Sequence, residues 1–320
     1  MRYSRDTVSP KFASMAMLSQ RQAWSLALIS LLFPCVFSVN SAADGPAPTY
    51  RSVTSEVRIS FFVTDENNHL VSTIQPDDFA VVDSEQVIRD FRSLNPSGET
   101  ELHIFLLIDT SESVAPRLPA MMRSLTQWLS EMPANSANLS IVTFSGLKPS
   151  PLCGKDCQTP TIQQKLLQLK GEGATPLFDA LAYAANLISE QHVAGSRDVL
   201  LLFSDGQDTI SRRSRHEALK SVLDSGAVLY LIDLNRTSGF AAGRSAITRM
   251  ADATGGRSLG EANDPAQAIG TVLSDLRSSF VVTYQLPGRS PGFHSLRILP
   301  KHNLNLRFHC REGYYYEENR

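Results

Sequence analysis

The sequence predicts an α/β protein with a doubly wound, mostly parallel sheet that has helices on both faces, plus a small β-rich module from the N- and C-terminal flanks. One observation behind this prediction is a series of near-continuous apolar runs, at His103–Ile108, Leu139–Phe144, Val199–Phe203 and Val228–Ile232. Such runs are typical of strands that are covered on both faces. The other observation is that helix-like segments lie between the runs, and this alternation favours a parallel sheet.

The helix-like segments separate and follow the four apolar runs. They are Pro119–Met132, Ile162–Leu169, Pro176–Ser189, Arg213–Ser225, Ser245–Thr254 and Pro265–Ser279. Two of them have a clear start signal, because Thr175-Pro176 and Asp264-Pro265 each place a capping residue before a proline. Proline is favoured at the first helical position, so both pairs predict helix starts.

The two flanks have β patterns instead. After a Pro- and Ala-containing linker at residues 44–50, apolar residues alternate with mostly polar ones, which predicts an N-terminal β-rich module over residues 51–98. The central α/β domain is predicted over residues 100–280. Further β patterns follow, and we expect the segment 281–320 to pack with the N-terminal module.

The first 43 residues have the order of a secretory signal peptide. Basic residues precede an apolar stretch, Ala23–Val39, and small residues follow it at Ser41–Ala43. The alternative is an uncleaved anchor, since 17 apolar residues are at the lower limit for spanning a bilayer. Either interpretation predicts an exported protein that is periplasmic, secreted or on the cell surface.

Three of the four cysteines follow the leader. Cys153 and Cys157 lie close together in a predicted Pro-rich loop and could close a small disulfide in an oxidising compartment. Cys310 is then unpaired, or it competes for one of the other two. The formal net charge of −2 argues against nucleic acid as the main partner.

Oxygen-bearing side chains follow two of the apolar runs and precede one helix. The run ending at Ile108 leads into Asp109, Ser111 and Ser113, the run Val199–Phe203 leads into Asp205, and Thr175 precedes a helix. Ligands of open α/β sheets bind at the carboxyl ends of the strands, so we expect these residues to converge. Carboxylate and hydroxyl oxygens are hard donors that suit Mg²⁺. Taken singly, each residue could instead cap a loop or a helix.

The pattern Asp-x-Ser-x-Ser, Thr and Asp-Gly on three loops resembles the metal-ion-dependent adhesion site of the von Willebrand factor A (VWA) family. The resemblance covers residues 100–280, and the outer segments, with Arg311–Tyr315, are similar to a bacterial exported VWA-related type. It implies that Asp109, Ser111, Ser113, Thr175 and Asp205 hold Mg²⁺, or Mn²⁺ or Ca²⁺ in its place. It also implies an open coordination position that a carboxylate of a partner protein fills.

The sequence therefore predicts a binding protein and not an enzyme. It contains no G-x-S-x-G, Walker-type or H-E-x-x-H motif, and its histidines are scattered. The alternative function is a non-catalytic scaffold or assembly factor of the cell envelope with a structural ion site. The roles of two features stay open. Asp179 either orients the site or is a favourable acid near a helix start. A basic run either meets an acidic partner or is a solvated face; it consists of Arg212, Arg213, Arg215 and His216.

Overall fold

The computed structural model describes residues 56–97, 101–132, 138–154, 157–193, 196–234, 242–259, 265–286 and 290–316. These residues belong to one compact unit, 53–320. The predicted signal peptide at 1–43, the linker at 44–50 and the capping residue Asp264 lie outside the described residues. No helix in the described part of the chain is long and apolar enough to cross a membrane.

The strands and helices are numbered here in chain order. The strands are β1 (Glu56–Thr64), β2 (Phe79–Asp83), β3 (Gln86–Ile88), β4 (Phe91–Pro96), β5 (Leu102–Asp109), β6 (Asn138–Ser145), β7 (Lys148–Cys153), β8 (Arg197–Ser204), β9 (Val228–Asp233), β10 (Ser258–Leu259), β11 (Phe280–Gln285), β12 (Gly292–Pro300), β13 (Arg307–Cys310) and β14 (Gly313–Tyr316). The helices are α1 (Leu118–Glu131), α2 (Pro160–Leu167), α3 (Leu177–Gln191), α4 (Arg215–Asp224), α5 (Ala242–Ala253) and α6 (Pro265–Arg277).

A central sheet has the strand order β10-β9-β8-β5-β6-β7. Its pairings are parallel except that of β7 with β6. Successive side chains of a strand point to opposite faces. Along β5, Ile104, Leu106 and Ile108 accordingly pack with α1, α2 and α6, while Phe105 and Leu107 pack with α3, α4 and α5. The predicted fold class, a mostly parallel sheet with helices on both faces, is confirmed.

The antiparallel edge strand β7 lies in a segment that the sequence indicated as a Pro-rich loop. Pro149 and Pro151 pair with Phe144 and Val142 of β6. Proline has no N–H to donate and therefore disrupts a central strand. An edge strand tolerates proline because one side of its backbone needs no hydrogen-bond partner. The strand leads into a disulfide between Cys153 and Cys157, whose Cα atoms are 5.7 Å apart. Cys310 has a free thiol, and burial raises its pKa to about 11.

The flanking segments form two further sheets, with strand orders β13-β1-β11-β4 and β14-β12-β2-β3. Each sheet contains strands from both ends of the chain. The antiparallel pairing of β1 with β11 joins Glu56 to Gln285 and Phe61 to Phe280. The two sheets share one hydrophobic core, which includes Ile59, Phe61, Phe79, Val282 and Ile298.

Arg257 connects strand β1 to helix α6 beside the central sheet. Its guanidinium donates two hydrogen bonds, of 2.8 and 2.7 Å, to the carboxylate of Asp275 on α6. The same guanidinium lies 5.4 Å from the ring centroid of Phe62 on β1. Asp275 is fully buried, and burial raises its pKa to about 6, although the pairing with Arg257 opposes that rise.

Candidate functional site

The five predicted site residues lie on three loops at one edge of the central sheet. Asp109 is the last residue of β5, with Ser111 and Ser113 in the turn that follows; Thr175 precedes α3 and Asp205 follows β8. β5 and β8 are parallel neighbours, so their carboxyl ends meet at the same edge. The structure thus brings the three loops together, as the spacing of the motifs predicts.

Asp109 is at the centre of this cluster. Its Oδ1 accepts the Ser111 N–H at 2.9 Å and its Oδ2 accepts the Ser204 hydroxyl at 2.7 Å. Burial raises the pKa of the Asp109 carboxyl; hydrogen bonds from Ser111 and Ser204 oppose that rise, and the nearby Asp205 carboxylate adds to it. The Oγ atoms of Ser111 and Ser113 are 3.1 Å apart. Two carboxylates and two hydroxyls therefore lie on neighbouring loops at this edge of the sheet.

The loop that leads to Thr175 is joined to the Asp109 loop by backbone hydrogen bonds. The Glu172 N–H donates to the Thr110 carbonyl at 2.8 Å, and the Glu112 N–H donates to the Gly173 carbonyl at 3.0 Å. Gly173 has a φ of +79°, which is open to glycine at no steric cost. These bonds fix the distance between Thr175 and the serines of the first loop.

The same two loops touch at Gly171, which leads to a prediction. In Gly171→Ala, the new Cβ would lie 2.5 Å from the Cα and Cβ of Ala115, so one loop must move. We expect a loss of about 1–3 kcal/mol of unfolding free energy, as is usual for overpacking. Urea denaturation measures this loss.

Gly270→Ala is the matched control, since its new Cβ on α6 meets no atom within 4 Å. Alanine exceeds glycine in helix propensity by about 0.8–1 kcal/mol, so this variant should be as stable as the wild type or more stable. Equal stability of Gly171→Ala and the wild type would show that the two loops are not tightly packed.

The start of α3 differs from the prediction. Thr175 does not cap the helix; the N-cap residue is Pro176, and its side chain makes no capping hydrogen bond. The helix amides are capped from the loop after β8 instead. Asp208 Oδ1 accepts the Leu177 N–H at 2.9 Å, and Ser211 Oγ accepts the Phe178 N–H at 3.0 Å. The Thr175 hydroxyl is therefore not used as a helix cap.

Sequence reasoning missed the contribution of the loop after β8. Thr209 bonds Thr175 twice, since its hydroxyl accepts the Thr175 N–H at 2.7 Å and its N–H donates to the Thr175 carbonyl at 2.9 Å. Ser204 was missed as a partner of Asp109, although its place at the end of an apolar run, next to Asp205, was a usable signal. Asp233 ends β9 in the same way, beside Ser204 in the register.

Asp179 has a definite partner that sequence could not identify. Its two carboxylate oxygens accept the backbone N–H groups of Arg212 and Arg213, at 3.0 and 3.1 Å. It thus holds the loop after β8 against α3.

The donor chemistry suits a hard cation. Among the described residues, no group of three or more His, Cys, Asp or Glu side chains is placed to hold a metal ion. The cluster instead combines two carboxylates, of Asp109 and Asp205, with hydroxyls of serine and threonine. Such a set has few charges and leaves room for water, which is the coordination that Mg²⁺ prefers. The residues present therefore fit a divalent ion of this kind.

Comparison with known proteins gives a family match and several distant structural similarities. Residues 104–207 match the family model of the von Willebrand factor type A domain. No curated protein sequence matches the chain. Among solved structures, an aerotolerance-related membrane protein from Bacteroides fragilis is similar, with 15% identity, a TM-score of 0.42, and coverage of 55% of this chain and 98% of that one.

Two pilus proteins are also similar in structure. The vWF domain of the type V pili tip protein Mfa5 from Porphyromonas gingivalis has 20% identity and a TM-score of 0.31, over 34% of this chain and 39% of that one. The PilB minor pilin from Streptococcus sanguinis has 13% identity and a TM-score of 0.41, over 57% and 62%. The chain thus spans less than two thirds of either pilus structure. The family match, on strands β5 to β8 of the sheet described above, shows that this chain carries a von Willebrand factor type A domain.

Proposed function

We propose that this protein is a non-catalytic interaction protein whose VWA domain binds a divalent ion, Mg²⁺ in the first place, and through it a carboxylate of a partner protein. The ion would be held by Asp109, Ser111, Ser113, Thr175 and Asp205. The observation that carries the proposal is the convergence of three hydrogen-bonded loops on two buried carboxylates and three hydroxyl side chains at one sheet edge.

Charge explains why this cluster favours a cation. Asp109 and Asp205 are 0% and 3% exposed, and burial together with the nearby Asp205 carboxylate raises the pKa of Asp109. Buried charge is costly unless it is paired. A divalent ion offsets both carboxylates, and Ser111 and Ser113 supply neutral oxygens that complete the donor set without adding charge.

The partner's carboxylate follows from the same charge balance. A bound ion with one open coordination position supplies a local positive charge that attracts an anionic oxygen. Ser113 is exposed, so the cluster is reachable from solvent on that side. The chain's residues hold and orient the ion, and no side chain in the cluster needs to act as a nucleophile or a base.

An exported location fits two features of the chain itself. The first is the leader at residues 1–43, and the second is the Cys153–Cys157 disulfide, which persists in oxidising compartments. The similar structures are named as a membrane protein and as pilus proteins, and those locations belong to them. We propose that this chain is periplasmic, secreted or on the cell surface.

Calorimetric titration of Mg²⁺ and of Mn²⁺ into the metal-free protein tests the proposal. We expect saturable binding at one site, unchanged in Asp77→Asn, which removes an exposed carboxylate of the β-rich module. Ca²⁺ is titrated as the third ion. Absence of binding by the folded protein would contradict the proposal and favour a scaffold or assembly factor instead.

A second test is partner capture from cell-envelope extract. Capture that is reversed by a chelator supports the ion-dependent function. Capture that survives chelation supports the scaffold.

A further inference from the structure

We propose that the partner presents its carboxylate within a cluster of acidic side chains, and that three arginines beside the ion site bind the additional acids. These are Arg212, Arg213 and Arg215, which we call the arginine rim. The inference rests on the proposed function, because it assigns the class of partner that the same site would hold. All three residues are exposed.

The position of the arginine rim follows from the contacts of Thr209. Thr209 forms two hydrogen bonds with the site residue Thr175. Arg212 lies three residues further along the chain, and a backbone of that length spans at most about 10 Å. A partner segment of a few residues that places one carboxylate at the ion site can therefore place its next acids against the rim.

The backbone of the rim is fixed against α3. Asp179 accepts the N–H groups of both Arg212 and Arg213, and Ser211 Oγ accepts the Phe178 N–H at 3.0 Å. On the far side, α4 begins with a capping box between Ser214 and Glu217. A ligand that binds to a preorganised backbone loses less conformational entropy than one that must order a free loop.

Two of the three guanidinium groups of the rim, those of Arg212 and Arg215, are available for a ligand, while that of Arg213 forms a salt bridge with Asp179. Among the described residues, no salt bridge engages Arg212 or Arg215, and Arg213 Nη1 is 3.8 Å from Asp179 Oδ1. The nearby carboxylate of Glu217 is engaged by the N–H and hydroxyl of Ser214, both at 2.7 Å. Guanidinium groups bind carboxylates with two parallel hydrogen bonds, so an acidic segment is the ligand that fits them.

The test compares two synthetic peptides of equal length. One has a single glutamate among glycines and serines, and the other has a run of glutamates. The affinities of the two peptides in the presence of Mg²⁺ are measured for the wild type and for two double variants. These are Arg212→Gln/Arg215→Gln, called the rim variant, and Arg89→Gln/Arg297→Gln, called the control variant. The control removes the same charge from exposed positions of the β-rich module. Mg²⁺ alone is titrated into each protein.

We expect the wild type to prefer the acidic run, and the rim variant to lose about tenfold in affinity for that peptide. The affinity of the rim variant for Mg²⁺ and for the single-glutamate peptide should stay within about twofold of the wild-type values. The control variant should behave as the wild type, and added salt should reduce the preference.

Two results with the variants would overturn the inference alone: unchanged affinity of the rim variant for the acidic run, or equal losses in the rim and control variants. If Mg²⁺ fails to bind the wild type, the proposed function is wrong and this inference falls with it. Binding of the acidic run that is equally tight without Mg²⁺ would also overturn it, because the rim would then act independently of the ion site.

Discussion

Asp109→Asn is expected to eliminate the stabilisation of the protein by Mg²⁺ while leaving the metal-free fold intact. Asparagine has the same shape, and its oxygen can still accept the Ser111 N–H, which Asp109 accepts at 2.9 Å. The negative charge is lost. One unit charge at about 4 Å contributes about 4 kcal/mol at an effective dielectric constant of 20, so we expect Mg²⁺ affinity to fall at least ~100-fold.

Thermal unfolding with and without Mg²⁺ measures this effect. A ligand at about 100 times its Kd stabilises by about 2.7 kcal/mol, which raises the Tm of a domain of this size by about 5–10 °C. The wild type should show this rise and Asp109→Asn should not. The metal-free variant should be at least as stable as the metal-free wild type, because a buried charge next to Asp205 has been removed. A Tm rise of the same size in both proteins would exclude Asp109 from the ion site.

Arg257→Ala is expected to destabilise the protein by about 3–5 kcal/mol, because it leaves the buried carboxylate of Asp275 without its countercharge. Two side chains form hydrogen bonds that lower the pKa of Asp275, namely Arg257 and Tyr230. Without Arg257, only the hydrogen bond from the Tyr230 hydroxyl would remain. The variant also loses the contact of the guanidinium with the Phe62 ring. Urea denaturation near neutral pH measures the loss.

The pH dependence separates lost charge pairing from lost packing. The pKa of Asp275 is already raised to about 6, above its ordinary value of 3.8, and it should rise further without Arg257. A folded state with a raised carboxyl pKa gains stability as pH falls and loses it as pH rises through that pKa. The destabilisation by Arg257→Ala should therefore be larger at about pH 8 than at about pH 5.

Arg92→Ala is the matched control. Arg92 pairs with Glu56, but both side chains are about two-fifths exposed. Exposed pairs contribute about 0–1 kcal/mol, so this variant should lose little stability at either pH. Similar losses in the two variants, or a loss in Arg257→Ala that does not change with pH, would show that the buried pair is not what stabilises this junction.

Much of the fold was predictable because its signals are local. The apolar runs at His103–Ile108 and Val199–Phe203 correspond to β5 and β8, and the segment Pro119–Met132 corresponds to α1. Hydrophobic periodicity depends on neighbouring residues alone, so one sequence suffices to read it. Strand β7 was not predicted, because prolines usually indicate a turn or loop. Prolines are tolerated in β7 only because this strand lies at the edge of the sheet.

The sequence by itself determined the chemistry at the sheet edge: the residue types after β5 and β8, and the parallel strands that bring their ends together. Tertiary structure decided the partners. The cap of α3 comes from Asp208 and Ser211, more than 30 residues away, and the charge of Asp275 is met by Arg257. Local patterns are compatible with several strand orders and loop placements. The choice among them depends on long-range burial and hydrogen bonding, which become definite only when the whole chain is packed.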